Sequence, residues 1–264
     1  MCSIKKVNKI AGDFKPDIIF SDFEPISGII ANIKNIPLIS IDNQHRLTMI
    51  EIKYPKKYAI SAFAAKIVTR LMIFKARAYL VIDFVESKII NEKAFLFSPI
   101  LRKEVLEAKT TQGDYILVYL TFQFQDLLDV LKSINKKFII YGFNEDKEDG
   151  NLVFKKASQQ GFLEDLAHCE AVVANAGFSL MTESLFLGKP YLALPVAGQF
   201  EQVLNAFQLD ELGYGKYYDK LNKDKIEDFL KNLDIYRENL KSYKRDDNSK
   251  ILAKIDELIE KFAK

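Results

Sequence analysis

Apolar residues occur along the chain in short unbroken runs that do not alternate with polar residues. Strands of this composition are typical of a parallel sheet covered by helices on both faces. Between the runs, apolar residues recur with helical spacing, and the stretch 222–264 is charged, helical in periodicity and free of glycine. The pattern therefore predicts an α/β protein that ends in two or three closing helices.

The predicted elements can be placed along the numbering. Strands are expected at residues 17–21, 38–41, 79–82, 94–97, 115–120, 137–141, 152–154, 171–174 and 191–194. Helices are expected at residues 3–14, 26–34, 123–133, 162–169, 179–188 and 201–212, with a long helical stretch that ends near Arg77.

A repeat is visible when the sequence is shifted against itself by 153 residues, which places Pro37 on Pro190 without a gap. Each copy reads as a strand, a polar turn, a helix, a proline, a second strand and a polar loop. Two such βαβ units predict two Rossmann-like domains with parallel sheets.

The domain boundaries follow from what surrounds each copy of the repeat. Residues 101–220 are predicted to form a nearly whole nucleotide-binding domain, and residues 221–264 are predicted to form closing helices. Residues 1–100 lack the opening strand and glycine-rich turn of a doubly wound domain. We therefore expect the amino-terminal domain to be incomplete.

Composition and charge narrow the classes of function. The chain has 38 Lys and Arg against 36 acidic residues. Its net charge of +2 is too small to produce an overall positive field that would attract nucleic acid. Cys2 and Cys169 are isolated, which argues against a disulfide framework or a zinc site. No export signal is visible, and Lys66 and Arg70 interrupt the most apolar stretch, residues 58–74. A cytoplasmic protein without a transmembrane helix is expected.

The loop NAGFSLMTES, residues 175–184, lies where the carboxyl end of a predicted parallel strand meets a helix. Gly177 allows close approach of a ligand, and the amides of residues 178–180 point outward at the positive helix end, where phosphate binds. Ser179 is expected to cap the helix, and Glu183 could accept hydrogen bonds from ribose hydroxyls. The alternative is an ordinary capped helix with an exposed glutamate. The candidate donor-binding residues of this loop are Asn175, Gly177, Phe178, Ser179, Thr182 and Glu183.

The loop GQFEQ after the next strand carries neutral amides and one carboxylate, which suit the hydroxyls of a sugar. Its candidate residues are Gln199, Glu201 and Gln202. Amide-rich helix starts are also common on protein surfaces. Together the two loops indicate a sugar nucleotide as ligand.

These segments resemble the GT-B glycosyltransferases. The motifs that carry the resemblance are NAGF, TES, GKP and the EQ loop before Asn-Ala, together with KPDIIFSDFEP and ISIDNQH. The match spans roughly residues 14–215 and is closest to the uncharacterised glycosyltransferase group related to the peptidoglycan GlcNAc transferase of lipid II synthesis. The resemblance implies a UDP-sugar donor, no cofactor, a glycan or lipid-linked acceptor, and a role in cell-envelope glycan or glycolipid synthesis.

The resemblance also implies roles for individual residues. The amides of residues 177–179 would hold the diphosphate, Glu183 the ribose, and Gln202 with Glu201 the sugar. The backbone near Phe162 and Leu163 would face the base, and Arg102 in the segment SPILR would reach the phosphates. The chain departs from the family in two places. A glycine-rich turn with a histidine would lie upstream of Met1, and the loop after YILVYL reads TFQFQ without the glycines of some relatives.

The implied reaction is an inverting, metal-independent transfer to an acceptor hydroxyl, which requires a base. His168 is expected to be a structural or surface residue. His45 in the loop DNQH and the carboxylates Asp22 and Glu24 are the remaining acceptor-side groups, with His45 and Asp22 as the catalytic candidates. The alternative for His45 is a structural role in which it orders its loop.

Two further readings stay open. The stretch 53–77 mixes basic and apolar residues and could lie against an anionic membrane at its inner face, although a helix packed on its own sheet is the commoner arrangement. The whole chain could also be a non-catalytic UDP-sugar-binding module that needs a partner chain for the missing amino-terminal half, or a truncated remnant. A UDP-sugar epimerase shares the fold, but no suitable carboxylate and histidine set is visible.

Overall fold

Parallel strands form two separate sheets, one in each of two units. The computed structural model describes residues 2–120 and 125–263. The first unit comprises Met1–Ile100 and Asp246–Lys264, and the second unit comprises Leu101–Arg245. Both units have the helix-covered parallel sheet that the apolar runs predict, so the α/β class with two Rossmann-like units is confirmed.

The first unit contains a four-stranded sheet in which all strands are parallel and follow the order β1-β2-β3-β4. Its strands are β1 Ile19–Ser21, β2 Leu38–Asp42, β3 Ala78–Ile82 and β4 Ala94–Phe97. Its helices are α1 Cys2–Phe14, α2 Pro25–Lys34, α3 Arg46–Met49, a 3-10 turn Lys56–Tyr58, α4 Ala59–Met72 and, from the end of the chain, α12 Ser249–Phe262.

The second unit contains a seven-stranded sheet in the order β11-β10-β9-β5-β6-β8-β7, parallel except for the β7–β8 pair. Its strands are β5 Tyr115–Tyr119, β6 Lys137–Tyr141, β7 Lys147–Asp149, β8 Leu152–Phe154, β9 Ala171–Asn175, β10 Tyr191–Leu194 and β11 Gly215–Tyr217. Its helices are α5 Lys103–Leu106, α6 Gln125–Lys132, α7 Gln159–His168, α8 Phe178–Phe186, α9 Phe200–Glu211, α10 Lys223–Lys231 and α11 Leu233–Leu240.

All nine strands predicted from apolar runs are present, with ends that differ from the predicted ones by at most two residues. The pattern missed β7 and β11, because each has only three residues and neither is an apolar run. The long helical stretch before Arg77 is shorter than expected, since α4 ends at Met72.

Residues 221–264 are predicted as one group of closing helices. In the structure they are divided between the two units. Helices α10 and α11 belong to the second unit, whereas α12 belongs to the first. Ile251 and Leu258 of α12 are buried against Ile39 and Leu80 of the first sheet. The first sheet needs a cover on this face, and among the described residues α12 supplies the helical side chains of that cluster.

The two copies of the repeat are structurally equivalent at both ends of their helices. Helix α2 begins after Glu24 and α8 begins after Gly177, which are 153 positions apart. Each helix is followed by a left-handed residue at equivalent positions, Asn35 with φ 54° and Gly188 with φ 73°. A left-handed residue satisfies the last helical carbonyls and turns the chain into the next strand.

Candidate functional site

A cavity of about 380 Å³ lies in the second unit beside the carboxyl ends of β5 and β6 and the first turn of α8. The carboxyl edge of a parallel sheet is the usual ligand position in open α/β folds. The cavity is lined by Arg102, Tyr119, Tyr141, Ala157, Ser158, Gln159, Phe162, Ser179, Leu180 and Glu183. Four of the residues predicted to bind the donor, Arg102, Phe162, Ser179 and Glu183, are therefore brought together.

One wall of the cavity is aromatic. The ring of Phe162 meets Tyr119 edge-on at 5.5 Å and Tyr141 edge-on at 5.0 Å between centroids. The Tyr141 hydroxyl donates to Asp165 at 2.6 Å, and Lys155 binds the same carboxylate at 2.7 Å. Burial raises the pKa of Tyr141, and its hydrogen bond to Asp165 adds to the shift, so the phenol stays protonated. Such a fixed aromatic wall suits a flat, partly apolar ligand group such as a nucleobase.

Sequence reasoning named Phe162 and missed both tyrosines. Tyr119 and Tyr141 are the last residues of β5 and β6 and are direct partners in the ladder of these strands. The apolar runs YILVY and KFIIY each end in a tyrosine, which was the available signal. Leu163, which was expected near the base, is half-buried and does not line the cavity.

The first turn of α8 contributes Ser179 and Leu180 to the cavity lining. Gly177 occupies the N-cap with φ −69° and ψ 138°, and no side chain caps the helix. Ser179 and Leu180 stand at the second and third helical positions, whose amides have no acceptor within an α-helix. Ser179 was expected to be the cap. That expectation is wrong, because the cap position is already taken by Gly177.

The equivalent helix of the first unit shows what an anion does at this position. There Glu24 is the N-cap, and its carboxylate accepts from the amides of Ile26 at 3.0 Å and Ser27 at 2.7 Å. Ile26 and Ser27 are the repeat equivalents of Ser179 and Leu180. The first unit thus fills with its own carboxylate the place that glycine leaves open in the second. A Cβ added at Gly177 would meet no atom within 4 Å.

The loop before α8 is held by buried hydrogen bonds. The Asn205 amide donates to the carbonyl of Ala176 at 2.8 Å, and the Tyr191 hydroxyl donates to the carbonyl of Asn175 at 2.6 Å. The Asn175 amide donates to the Leu194 carbonyl at 3.2 Å, and the buried Thr182 hydroxyl donates to the Ser179 carbonyl at 3.0 Å. Asn175 and Thr182 are therefore turned into the protein and support the loop.

Arg102 and Glu183 form a bidentate ion pair at the cavity. Nε of Arg102 donates to Oε1 of Glu183 at 2.9 Å, and Nη2 donates to Oε2 at 3.1 Å. A carboxylate can accept about four hydrogen bonds and a guanidinium can donate five. The pair therefore fixes both side chains and leaves part of each group available to a ligand.

The second predicted loop is not brought into this cavity. Gln202 accepts from the Val196 amide at 3.0 Å and donates to the side chain of Gln199 at 2.8 Å, so both amides bind within their own loop. Glu201 is half-buried in the first turn of α9. The expected role of these three residues in reading a sugar stays a prediction. The loop TFQFQ, which lacks the glycines of some relatives, is also untested as a part of the donor site. Its residues 121–124 lie outside the described part of the chain.

The first unit carries a buried Asp-His pair at the carboxyl end of β2. Nδ1 of His45 lies 2.7 Å from Oδ2 of Asp42, and the His45 amide donates to Oδ1 of Asp42 at 2.7 Å. The Ser40 hydroxyl donates to the same carboxylate at 2.5 Å. His45 is 1% exposed, and in the described part of the chain its Nε2 has no hydrogen-bond partner.

The two neighbouring carboxylates differ in availability. Burial and the charge of Asp42 raise the pKa of Asp22, although Asp22 itself belongs to the exposed residues. Burial alone would raise the pKa of Glu24, but the amides of Ser27 and Ile26 outweigh it and lower that pKa. The Glu24 carboxylate is therefore occupied as the cap of its own helix. We no longer count Glu24 among the acceptor-side groups.

No group of three or more His, Cys, Asp and Glu side chains is placed to hold a metal ion in residues 2–120 and 125–263.

The family model described as glycosyl transferase family 1 matches residues 2–234. Two curated relatives from Methanosarcina mazei, each called an uncharacterized glycosyltransferase, are both 25% identical to this chain over 236 and 241 residues. Each alignment covers 80% of this chain and 62% or 63% of the relative. The chain therefore spans less than two thirds of the length of these relatives.

Solved glycosyltransferases share the fold. The glycotransferase of kitacinnamycin has a TM-score of 0.67 at 15% identity, with 90% of this chain and 74% of that chain covered. The spinosyn forosaminyltransferase has a TM-score of 0.66 at 13% identity, covering 97% and 80%. A Streptomyces glycosyltransferase complexed with thymidine diphosphate has a TM-score of 0.58 at 14% identity, covering 91% and 67%. At these identities the likeness shows the fold, which is of the GT-B type.

Proposed function

Because the chain belongs to glycosyl transferase family 1, we propose that it binds a nucleoside diphosphate sugar in the cavity of its second unit and transfers the sugar to an acceptor hydroxyl. One observation carries the proposal. The α8 amides, the Arg102–Glu183 pair and the aromatic wall line a single cavity. These are the three kinds of group that a phosphate, a ribose and a nucleobase require.

Each part of the proposed donor can be assigned to one group of residues that line the cavity. The base stacks on the wall of Tyr119, Phe162 and Tyr141, and the ribose hydroxyls donate to the remaining lone pairs of Glu183. The diphosphate lies at the amides of Ser179 and Leu180, and Arg102 contributes a second positive group. We propose UDP as the nucleoside diphosphate, and TDP, which one structural relative holds, is the pyrimidine alternative.

The proposed chemistry is inverting transfer of a hexose or N-acetylhexosamine through an oxocarbenium-like transition state. As the bond from C1 to the diphosphate breaks, negative charge grows on the leaving oxygen. Preorganised amides and a guanidinium stabilise such charge, and each donor of this type contributes roughly 3 kcal/mol in known enzymes. The proposed acceptor is a hydroxyl of a cell-envelope glycan or of a lipid-linked glycan.

The base that takes the acceptor proton is proposed to be His45 or Asp22. Asp42 holds Nδ1 of His45, which leaves Nε2 as the nitrogen that could take a proton. Since His45 is 1% exposed, Nε2 must be uncovered before an acceptor reaches it. Asp22 is exposed and needs no such rearrangement. Transfer assays with His45→Gln and Asp22→Asn decide between them. The variant that lacks the base should lose turnover and retain its affinity for the donor, whereas the other variant should retain both.

The burial of His45 favours a second candidate function, donor binding without turnover by this chain alone. In that case a partner chain would supply the acceptor side. Transfer assays on this chain by itself distinguish the two, since a binding module gives donor binding without product.

The test of the donor site is calorimetric titration of the full chain with UDP, TDP and UDP-hexoses. We expect saturable binding of UDP and a loss of about tenfold to a hundredfold in affinity for Glu183→Gln, because hydrogen bonds to a charged group contribute roughly 1.5–3 kcal/mol. Glu211→Gln is the matched control, since Glu211 is exposed at the far end of α9.

The proposal is wrong if no ligand gives heat at millimolar concentration. It is also wrong if Glu183→Gln binds UDP as tightly as the unmodified chain does.

A further inference from the structure

Helix α4 of the first unit exposes an apolar stripe. Ala62, Thr69 and Ile73 bury one side of this segment. On the other side Ile60 is 86% exposed, Phe63 66%, Ile67 40% and Leu71 71%. These four residues follow the three-and-four spacing of one helix face. The stripe, called here the α4 face, is therefore continuous along the helix.

The charges along the segment that carries the α4 face are all of one sign. Residues 52–82 contain seven Lys and Arg and no acidic residue, so the rest of the chain carries a net charge of −5. Lys56 and Lys57 precede the helix, Lys66 and Arg70 flank the stripe, and Lys75 follows it. An apolar stripe bordered by long basic side chains is the pattern of a helix that lies in a membrane interface.

A second basic feature lies just beyond the helix. A cavity of about 300 Å³ is lined by Lys75, Arg77 and Lys93 together with Asn32 and Asn35. Three cations and two amides around one cavity suit a phosphate group. It adds positive charge at the carboxyl end of the α4 face.

We propose that the α4 face is a docking surface for an anionic lipid bilayer. The apolar side chains enter the acyl boundary, and the flanking cations contact lipid phosphates. In the described part of the chain no helix is both long and apolar enough to cross a bilayer. Helix α4 has 14 residues, fewer than the about 20 that cross a bilayer, so we place it along the surface. A second copy of this chain is the poorer occupant, because a two-fold contact through α4 brings Lys66 and Arg70 near their own copies.

The proposal does not depend on the donor site, which lies in the other unit. It connects the chain with acceptors that are presented at a membrane surface. Failure of donor binding would leave it standing, and the two can be tested on the same preparation.

The test is co-sedimentation of the full chain with vesicles of phosphatidylcholine alone and of phosphatidylcholine with about one third phosphatidylglycerol. Each cation near an anionic surface contributes about 1 kcal/mol. We therefore expect at least about tenfold tighter binding to the anionic vesicles, and weaker binding as salt is raised. Lys66→Glu with Arg70→Glu should reduce the binding at least about tenfold.

The apolar contribution is tested by Phe63→Ser with Leu71→Ser, which should also reduce binding about tenfold or more. Both side chains are exposed, so an unchanged melting temperature shows that the variant is folded. The matched controls lie in the second unit. Ile235→Ser replaces an apolar residue that is 58% exposed, and Lys220→Glu with Lys231→Glu reverses two exposed charges.

Three results would overturn the proposal. The first is no binding to anionic vesicles, and the second is equal binding by the Phe63→Ser, Leu71→Ser variant. The third is a stable dimer in sedimentation velocity that the same variant abolishes, which would assign the α4 face to a second copy.

Discussion

At position 177 a glycine stands where the first unit carries a glutamate. The two residues are equivalent in the repeat and both are helix N-caps in extended backbone. Glu24 satisfies the amides of its helix with its own carboxylate. Gly177 leaves the equivalent amides to the cavity. A single side chain thus separates a helix start that is capped by its own carboxylate from the one at which we propose that the diphosphate binds.

The variant Gly177→Glu should convert the second unit to the arrangement of the first. Its backbone angles and the empty space around it accept a side chain. We expect UDP affinity to fall at least about a hundredfold, because a carboxylate occupies and repels the diphosphate position. The melting temperature should be unchanged or slightly higher, since a capping side chain in place of glycine contributes only about a few tenths of a kcal/mol. Titration with UDP and thermal unfolding measure the two effects.

Gly177→Ala is the control for this variant. It adds a Cβ without a charge and should retain most of the UDP affinity. If Gly177→Glu binds UDP normally while folded, the diphosphate does not lie at the α8 amides.

At the scale of elements, the same βαβ unit occurs in both sheets, but different helices cover the two sheets. The last helix that covers the first sheet, α12, begins at Ser249, which is 152 positions after the last strand ends at Phe97. The apolar stripe of α12 packs on Ile39 and Leu80, and Lys254 lies over the ring of Phe95 at 3.9 Å. The first unit is therefore completed by a segment that follows the whole of the second.

Leu258→Ala should destabilise the first unit and leave donor binding intact. Leu258 is 2% exposed in the α12 interface, and removal of a buried leucine costs about 2–5 kcal/mol. Denaturant unfolding should show this loss, whereas UDP titration of the folded variant should match the unmodified chain. Leu252→Ala is the matched control, because Leu252 is 55% exposed on the same helix. Equal stability of the two variants would contradict the role of α12.

At the scale of the whole molecule, the buried thiol of Cys169 can be used to measure how often the second unit opens. Cys169 is fully buried at the end of α7, and burial raises its pKa to about 12. The thiol is therefore protonated and shielded near neutral pH, and a thiol reagent reaches it only after the second unit opens.

In a Cys2→Ser background, labelling of Cys169 at pH 8 should be slow in the native chain and fast in denaturant. UDP at about a hundred times its Kd should slow the native rate about a hundredfold if opening of the second unit abolishes donor binding. Mass spectrometry of the labelled chain measures both rates. Fast native labelling, or no effect of UDP, would contradict this account.

The sequence by itself determined nine of the described strands, the repeat and the loop at the start of α8. Apolar runs of three to six residues, proline breakers and glycine turns are local signals, and the backbone responds to them locally. For the same reason the equivalence of Gly177 and Glu24 was already present in the alignment of the two copies.

Only the tertiary structure decided which side chains face the cavity. Tyr119 and Tyr141 join Phe162 because β5 and β6 are neighbours, and Gln202 binds its own loop because Val196 lies within reach. The burial of His45 and the assignment of α12 to the first unit likewise depend on segments far apart in the chain. The direction of a side chain is set by its packing partners, and the short-range pattern contains no record of them.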